Sequence, residues 1–173
     1  EGRALHNLAV IDFNRCDYEA ARQKFEIALK IRQQIGDRKG EAATLHNLAS
    51  IDFNRCDYEA ARQKFEIILM IKQQIGEREG EAATLHNLAS IDIERGEYEL
   101  ARQKFEAVLK INQQFRNRTR EASTWHELGR IDFNRGEYEA ARQKFKAALS
   151  ISLQIGDRAG WASTLHNLGV IDL

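Results

Sequence analysis

The chain has no proline, one methionine and two cysteines, and its 26 basic and 26 acidic residues cancel. Without proline, no helix is broken from inside and no stiff linker is marked. Two cysteines are too few for the disulfide framework of a small secreted domain. A balanced charge supplies no field to draw nucleic acid or an anionic membrane surface, so neither is an expected partner. No apolar run approaches the roughly 20 residues of a membrane span, and no signal-peptide pattern is visible. The expected setting is cytoplasmic. The chain opens in mid-array without an initiator methionine, which fits a piece of a longer protein.

What the chain does have is a period of forty residues. The segments 1–40 and 41–80 differ at nine positions, and 81–120 and 121–160 follow the same template. Residues 161–173 open a fifth copy. A fixed period in this range marks a solenoid, in which each repeat buries its apolar face only by stacking on its neighbours. We therefore expect one array over 1–173, with function in the surfaces that the stack creates.

Within the second copy, Leu45, Leu48, Ala49 and Ile51 recur at helical intervals, followed by a break at Cys56-Asp57. Tyr58, Ala61, Phe65, Ile68, Leu69 and Ile75 then form a second helical pattern. Asp57 suits an N-cap, since its carboxylate can accept the free N–H groups of the next turn. Gly76 suits the left-handed residue that closes the second helix. Each copy thus reads as a helical hairpin, about nine helices in all. First-type helices are expected near 2–15, 38–55, 78–95, 118–135 and 158–172, and second-type helices near 17–35, 57–75, 97–115 and 137–155. Cys16 and Cys56 occupy the position of Gly96 and Gly136, so cysteine stands in for a small turn residue. Helices stacked about 10 Å apart exceed the roughly 7 Å that a disulfide spans, and both thiols are expected free.

Leu48-Ala49, Ala61 and Phe65 resemble the tetratricopeptide repeat (TPR) pattern L-G…A-x3-F, with Leu45 at the tryptophan position that Trp125 restores. Gly129 and Gly169 restore the family glycine where Ala9, Ala49 and Ala89 stand. The resemblance covers the whole chain. Its repeat is longer than the common form and lacks the closing proline, as in Pins/LGN-type polarity adaptors, kinesin light chain and bacterial signalling arrays. It implies an all-α, right-handed superhelix (an α-solenoid of helical hairpins) that serves as a scaffold or sensor, as part of a larger signalling or regulatory protein. It also implies that the first helices line a concave groove for extended or helical peptides.

One departure from the family is chemical. Asp12, Asp52, Asp92, Asp132 and Asp172 stand at the family tyrosine, in the middle of the first helix's apolar face. Arg22, Arg62, Arg102 and Arg142 stand at an apolar position of the second helix. An unpaired carboxylate at that depth would cost several kcal/mol, so the two rows are expected to pair.

The opposite face of the first helix repeats polar residues in register. His6, His46, His86, His126 and His166 form one ladder, and Asn7, Asn47, Asn87 and Asn167 a second, broken by Glu127. Phe13, Phe53 and Phe133 form a third; Ser50, Ser90 and Asn54 complete the face, and Arg130 joins it in the fourth copy, one turn from Glu127. Asparagine carries a donor and an acceptor and can clamp a peptide backbone without reading its side chains, the role the resemblance implies. Equally, it can bond to the neighbouring first helix. The histidines are either groove wall or a pH-responsive row, and the phenylalanines are packing or groove anchors. A roughly 10 Å rung spacing argues against a metal shared between rungs. No acid orients Ser50 or Ser90 with its histidine as nucleophilic catalysis requires. No enzyme activity, metal or cofactor is expected. At the third junction Arg116, Arg118 and Arg120 form a basic cluster.

Two readings follow. The first is an interaction module binding a protein or peptide ligand in the groove. The second is a spacer or self-associating array, in which the template apolar residues of the terminal helices support head-to-tail contacts.

Overall fold

The computed structural model describes residues 1–171; Asp172, expected to extend the aspartate row, lies outside them. Among the described residues there are nine helices and no strand. These are α1 (Gly2–Asn14), α2 (Tyr18–Gln34), α3 (Arg38–Asn54), α4 (Tyr58–Gln74), α5 (Arg78–Glu94), α6 (Tyr98–Gln114), α7 (Arg118–Asn134), α8 (Tyr138–Ile155) and α9 (Arg158–Ile171). Every expected boundary inside the described residues falls within one residue of the observed one.

Local chemistry sets those boundaries. The carboxylates of Asp17, Asp37, Asp57 and Asp157, and the amide of Asn117, each accept from the N–H three residues on. That bond satisfies one of the free donors of a helix start. Gly36, Gly76 and Gly156 close the second helices with positive φ. Cys16, Cys56 and Arg116 adopt the same left-handed backbone at φ 62°, 61° and 53°, with a side chain that this conformation disfavours.

The chain divides into two compact units, Glu1–Thr84 and Leu85–Leu173. In the first, Ala9, Ala21, Phe25, Leu48 and Ile51 form a buried cluster, flanked by Val10, Phe13, Tyr18 and Leu29. In the second, Ala89, Ala101, Phe105, Leu109, Leu128 and Ile131 do the same beside Ile93, Tyr98 and Trp125. The small-residue column lets the two helices of a hairpin close on each other: a Cβ on Gly129 would lie 2.8 Å from the Phe145 ring. Cys16 and Cys56 are free and exposed.

Asp52, Asp92 and Asp132 are buried, as their wheel position requires, with Asp52 2% exposed and Asp132 0%, while Asp12 of the first repeat is half-buried. Arg22 of the preceding repeat donates to Asp52 Oδ1 at 2.5 Å, and Arg102 does the same for Asp132 at 2.8 Å. The partner of Asp52 is thus the arginine of the neighbouring copy. A lysine of the same hairpin also reaches each carboxylate: Lys24 to Asp12 at 2.6 Å, Lys64 to Asp52 at 2.6 Å, Lys104 to Asp92 at 2.5 Å, and Lys144 to Asp132. Each of these hairpins therefore closes on itself through lysine, and within each unit one arginine, Arg22 or Arg102, reaches the neighbouring hairpin.

Candidate functional site

The face opposite the aspartates is built from three columns of the first helix, a threonine, a histidine and an asparagine. The histidine rings stand edge-on to the core phenylalanines: His6 to Phe25, His46 to Phe65, His86 to Phe105 and His126 to Phe145, with centroids 5.1–5.7 Å apart. The threonines are buried and cap the carbonyl one turn back, as Thr44 does Gly40 and Thr164 does Gly160.

Histidine, threonine and asparagine meet across successive first helices. In the second unit His126 Nδ1 lies 3.1 Å from Thr164 Oγ1, and Nε2 lies 3.2 Å from the Asn167 amide nitrogen. In the first unit the same atoms of His6, Thr44 and Asn47 stand at 3.3 and 3.5 Å. The Thr164 proton is already committed to the Gly160 carbonyl, so His126 Nδ1 carries a hydrogen and donates. Nε2 is then the acceptor, facing an amide N–H. This arrangement requires the neutral ring. Burial, first, and a neighbouring cation, second, lower the pKa of all four histidines: Arg32 for His6, Lys72 for His46, Arg120 for His86 and Arg130 for His126. The shift extends to His46 although that residue is exposed and the other three are half-buried.

Asn47 and Asn167 thus bond to the neighbouring first helix through one amide N–H apiece, and the second N–H and the carbonyl give each further hydrogen-bonding capacity. Asn7 is exposed on α1, and Asn87 half-buried on α5. The Ser50 and Ser90 hydroxyls donate to the carbonyls of His46 and His86, one turn back. Phe53 is half-buried edge-on against Tyr58, and Phe13 and Phe133 pack likewise on Tyr18 and Tyr138. Asn54 is exposed at the end of α3, and Arg130 is exposed and paired with Glu127 at 2.9 Å. Arg118 has the role of Arg38 and Arg78, each bonded to a glutamate three residues on. The cations peculiar to the third junction are therefore Arg116 and Arg120.

Between adjacent first helices this face opens into cavities at equivalent places in two repeats. One, of about 340 Å³, is bounded by His6, His46, Asn47, Lys72, Gly80 and Thr84. The other, of about 260 Å³, is bounded by His126, Glu127, Ser152, Asp157, Gly160 and Thr164. Their rear wall is Lys72 in one and Ser152 in the other, two members of the column Arg32, Lys72, Asn112 and Ser152 near the end of the second helix. It was not singled out from the sequence, because four different polar residues at a helix end look like ordinary surface. Among the described residues no group of three or more acidic, histidine or cysteine side chains is placed to hold a metal. No described helix is long and apolar enough to cross a membrane.

A family model described as "Tetratricopeptide repeat" matches residues 1–74 and 41–114, and a second of the same description matches 122–154. Among curated proteins none matches the chain's sequence. Solved structures are similar in fold. BtubC (BKLC) from P. vanneervenii superposes with a TM-score of 0.86 at 22% identity, covering 96% of this chain and 70% of that one. A putative kinesin light chain of nearly identical TPR-like repeats from Podosopora anserina gives 0.79 at 19%, covering 98% and 84%. A Signal Transduction ATPase with Numerous Domains from Pyrococcus horikoshii, with a tetratricopeptide repeat sensor, gives 0.91 at 18%, covering 98% of this chain and 26% of that protein.

Proposed function

The chain belongs to the tetratricopeptide repeat family, a protein-interaction fold, and on that premise we propose that its first-helix face binds an extended or helical peptide. The observation that carries this reading is that Asn47 and Asn167 are each held through one amide N–H on a face that opens into cavities of peptide side-chain size. Asn7, Asn47, Asn87 and Asn167 clamp the ligand backbone, while the neutral histidines hold those amides in place and shape the wall. One such hydrogen bond nets only about 0.5–1.5 kcal/mol, so several rungs are needed for micromolar affinity, about −8 kcal/mol. A binding role without catalysis is consistent with serine hydroxyls committed to backbone carbonyls. The four repeats and the opening of a fifth act as a single array in this reading. The array belongs to a larger cytoplasmic signalling or regulatory protein, in keeping with the likeness to a tetratricopeptide repeat sensor joined to an ATPase.

The test uses a peptide selected from a displayed random library against the chain. Replacing Asn47 and Asn87 together with alanine should weaken its binding at least tenfold, with circular dichroism unchanged. His6→Ala, which removes the partner of Asn47 but keeps the amide, should weaken it less. Unchanged affinity in the double variant would move the site elsewhere, with Arg116 and Arg120 the next candidates.

A second reading, head-to-tail self-association, has its own observation. Leu8 and Ile11 are 51% and 48% exposed, whereas the equivalent Leu48 and Ile51 are buried; Leu165 of α9 is also 51% exposed. Sedimentation that grows with concentration, and that Leu8→Glu abolishes, would support it. A strict monomer at high concentration would remove it.

A further inference from the structure

The rear-wall column faces the N-cap residue of the following helix, and in three repeats the two are matched in charge. Arg32 lies 3.9 Å from the Asp37 carboxylate, and its guanidinium also donates to the Gly40 carbonyl at 2.5 Å and to Thr44 Oγ1 at 2.7 Å. Lys72 pairs with Glu77 at 2.8 Å. In the third repeat both members are neutral: Asn112 donates to Thr124 at 3.3 Å, and the cap is Asn117. The fourth repeat breaks the match. Asp157 keeps the carboxylate, but Ser152 stands where the cation should be, and no ion pair reaches Asp157 among the described residues.

The acceptors that hold Arg32 are all retained there as Asp157, the Gly160 carbonyl and Thr164 Oγ1. So is the space. Gly40 and Gly80 admit the stem of the wall cation, with Arg32 Cδ and Lys72 Cδ each 2.8 Å from where a Cβ would sit. The third repeat, with its short Asn112, has Arg120 at that position, whereas the fourth keeps Gly160, where a Cβ would run into the Asp157 carboxylate and lie 3.0 Å from Ser152 Oγ. Ser152 is 2% exposed and lines the cavity of about 260 Å³. A second carboxylate, Glu127, borders the same cavity where earlier copies have asparagine, with Arg130 held against it.

We infer that this cavity is a guanidinium site, filled by an arginine side chain of the bound ligand in the place that Arg32 fills in the first repeat. Guanidinium fits better than ammonium because its separate nitrogens face different partners at once, as Arg32 does with Nη1 on the Gly40 carbonyl and Thr44 hydroxyl and Nε toward Asp37, while Lys72 engages its carboxylate alone. The inference rests on the groove reading only for the source of the arginine.

The test therefore uses a small probe. The full chain, isotope-labelled and at low salt, is titrated with N-acetyl-arginine methylamide and with its citrulline and lysine analogues. The expected result is saturable amide shifts at Ser152, Asp157, Gly160 and Thr164, with citrulline at least tenfold weaker and lysine weaker than arginine. Ser152→Arg should abolish binding and raise the melting temperature by restoring the internal cation. Asp157→Asn, which keeps a helix cap as Asn117 does, should weaken binding about tenfold while leaving the fold intact. Absence of saturable shifts at these residues, equal binding of citrulline or lysine, or full binding by Ser152→Arg would overturn the inference. Probe binding that survives in the Asn47 and Asn87 double variant, when selected peptides lose affinity or never needed those residues, separates this site from the asparagine clamp.

Discussion

Arg22 Nη2 lies 2.5 Å from Asp52 Oδ1, joining the second helix of one repeat to the first helix of the next through a carboxylate that is 2% exposed. Lys64 meets the other oxygen at 2.6 Å from within the same hairpin. The carboxylate is therefore a junction between local and neighbouring structure, and within each unit this charge pattern ties one hairpin to the register of the next.

Removing Asp52 strands both cations. Breaking a fully buried pair costs about 3–5 kcal/mol, but the Arg22 and Lys64 side chains are 23% and 25% exposed and can turn toward water. We expect Asp52→Ala to lower unfolding stability by about 2–3 kcal/mol. Lys64→Met, which leaves Arg22 in place, should cost about 1 kcal/mol. Urea melts of the two variants check this; an Asp52→Ala midpoint equal to the parent's would refute the junction.

Acid should destabilise the chain before its carboxylates titrate. The pKa values of His6, His46, His86 and His126 are lowered by burial and then by nearby cations. In the unfolded chain they return to about 6.5. The unfolded state then binds more protons between that value and the lower folded ones, so this contribution is fully present above about pH 6.5 and is lost as pH falls below it. Glu127, whose carboxyl is raised by burial against the opposing pull of Arg130, acts in the opposite sense as a single group. Melting temperatures from pH 7.5 to 5 should fall, and changing the four histidines to glutamine should flatten the slope. A flat parent profile would contradict the neutral-ring network.

Much of this was readable from the repeated template. A carboxylate recurring on the apolar stripe fixed both the burial of Asp52 and the need for a cation, and the arginine row supplied the neighbour contact. The lysine row was not readable. Lys24 and Lys64 sit among glutamines and glutamates that look like a solvated face, and only the length of the lysine stem brings the ammonium to the aspartate. The Asn47–His6 bond was foreseeable only as one of two alternatives, since it depends on the register between first helices. The unmatched Asp157 escaped because its meaning lies in a comparison between copies and not in any one residue.

Left-handed turns give a further check. Cys56 at φ 61° occupies the position of Gly96 and Gly136, where an added Cβ meets nothing within 4 Å. A side chain in this conformation costs roughly 1–2 kcal/mol, partly offset by the entropy that glycine loses on folding. Cys56→Gly should therefore raise stability by about 0.5–1 kcal/mol, and Cys56→Ala should not. Equal melting of the two would show that the backbone carries no strain there.

The central claim is that the first-helix face is the binding surface. Its most direct test is hydrogen–deuterium exchange of the full chain with and without a peptide selected against it. Binding is predicted to slow exchange along the segments bearing His46–Asn47, His86–Asn87 and His166–Asn167, and to leave the exposed faces of α2, α4, α6 and α8 unchanged. Protection confined to those second helices, or to the Arg116–Arg120 junction, would contradict it.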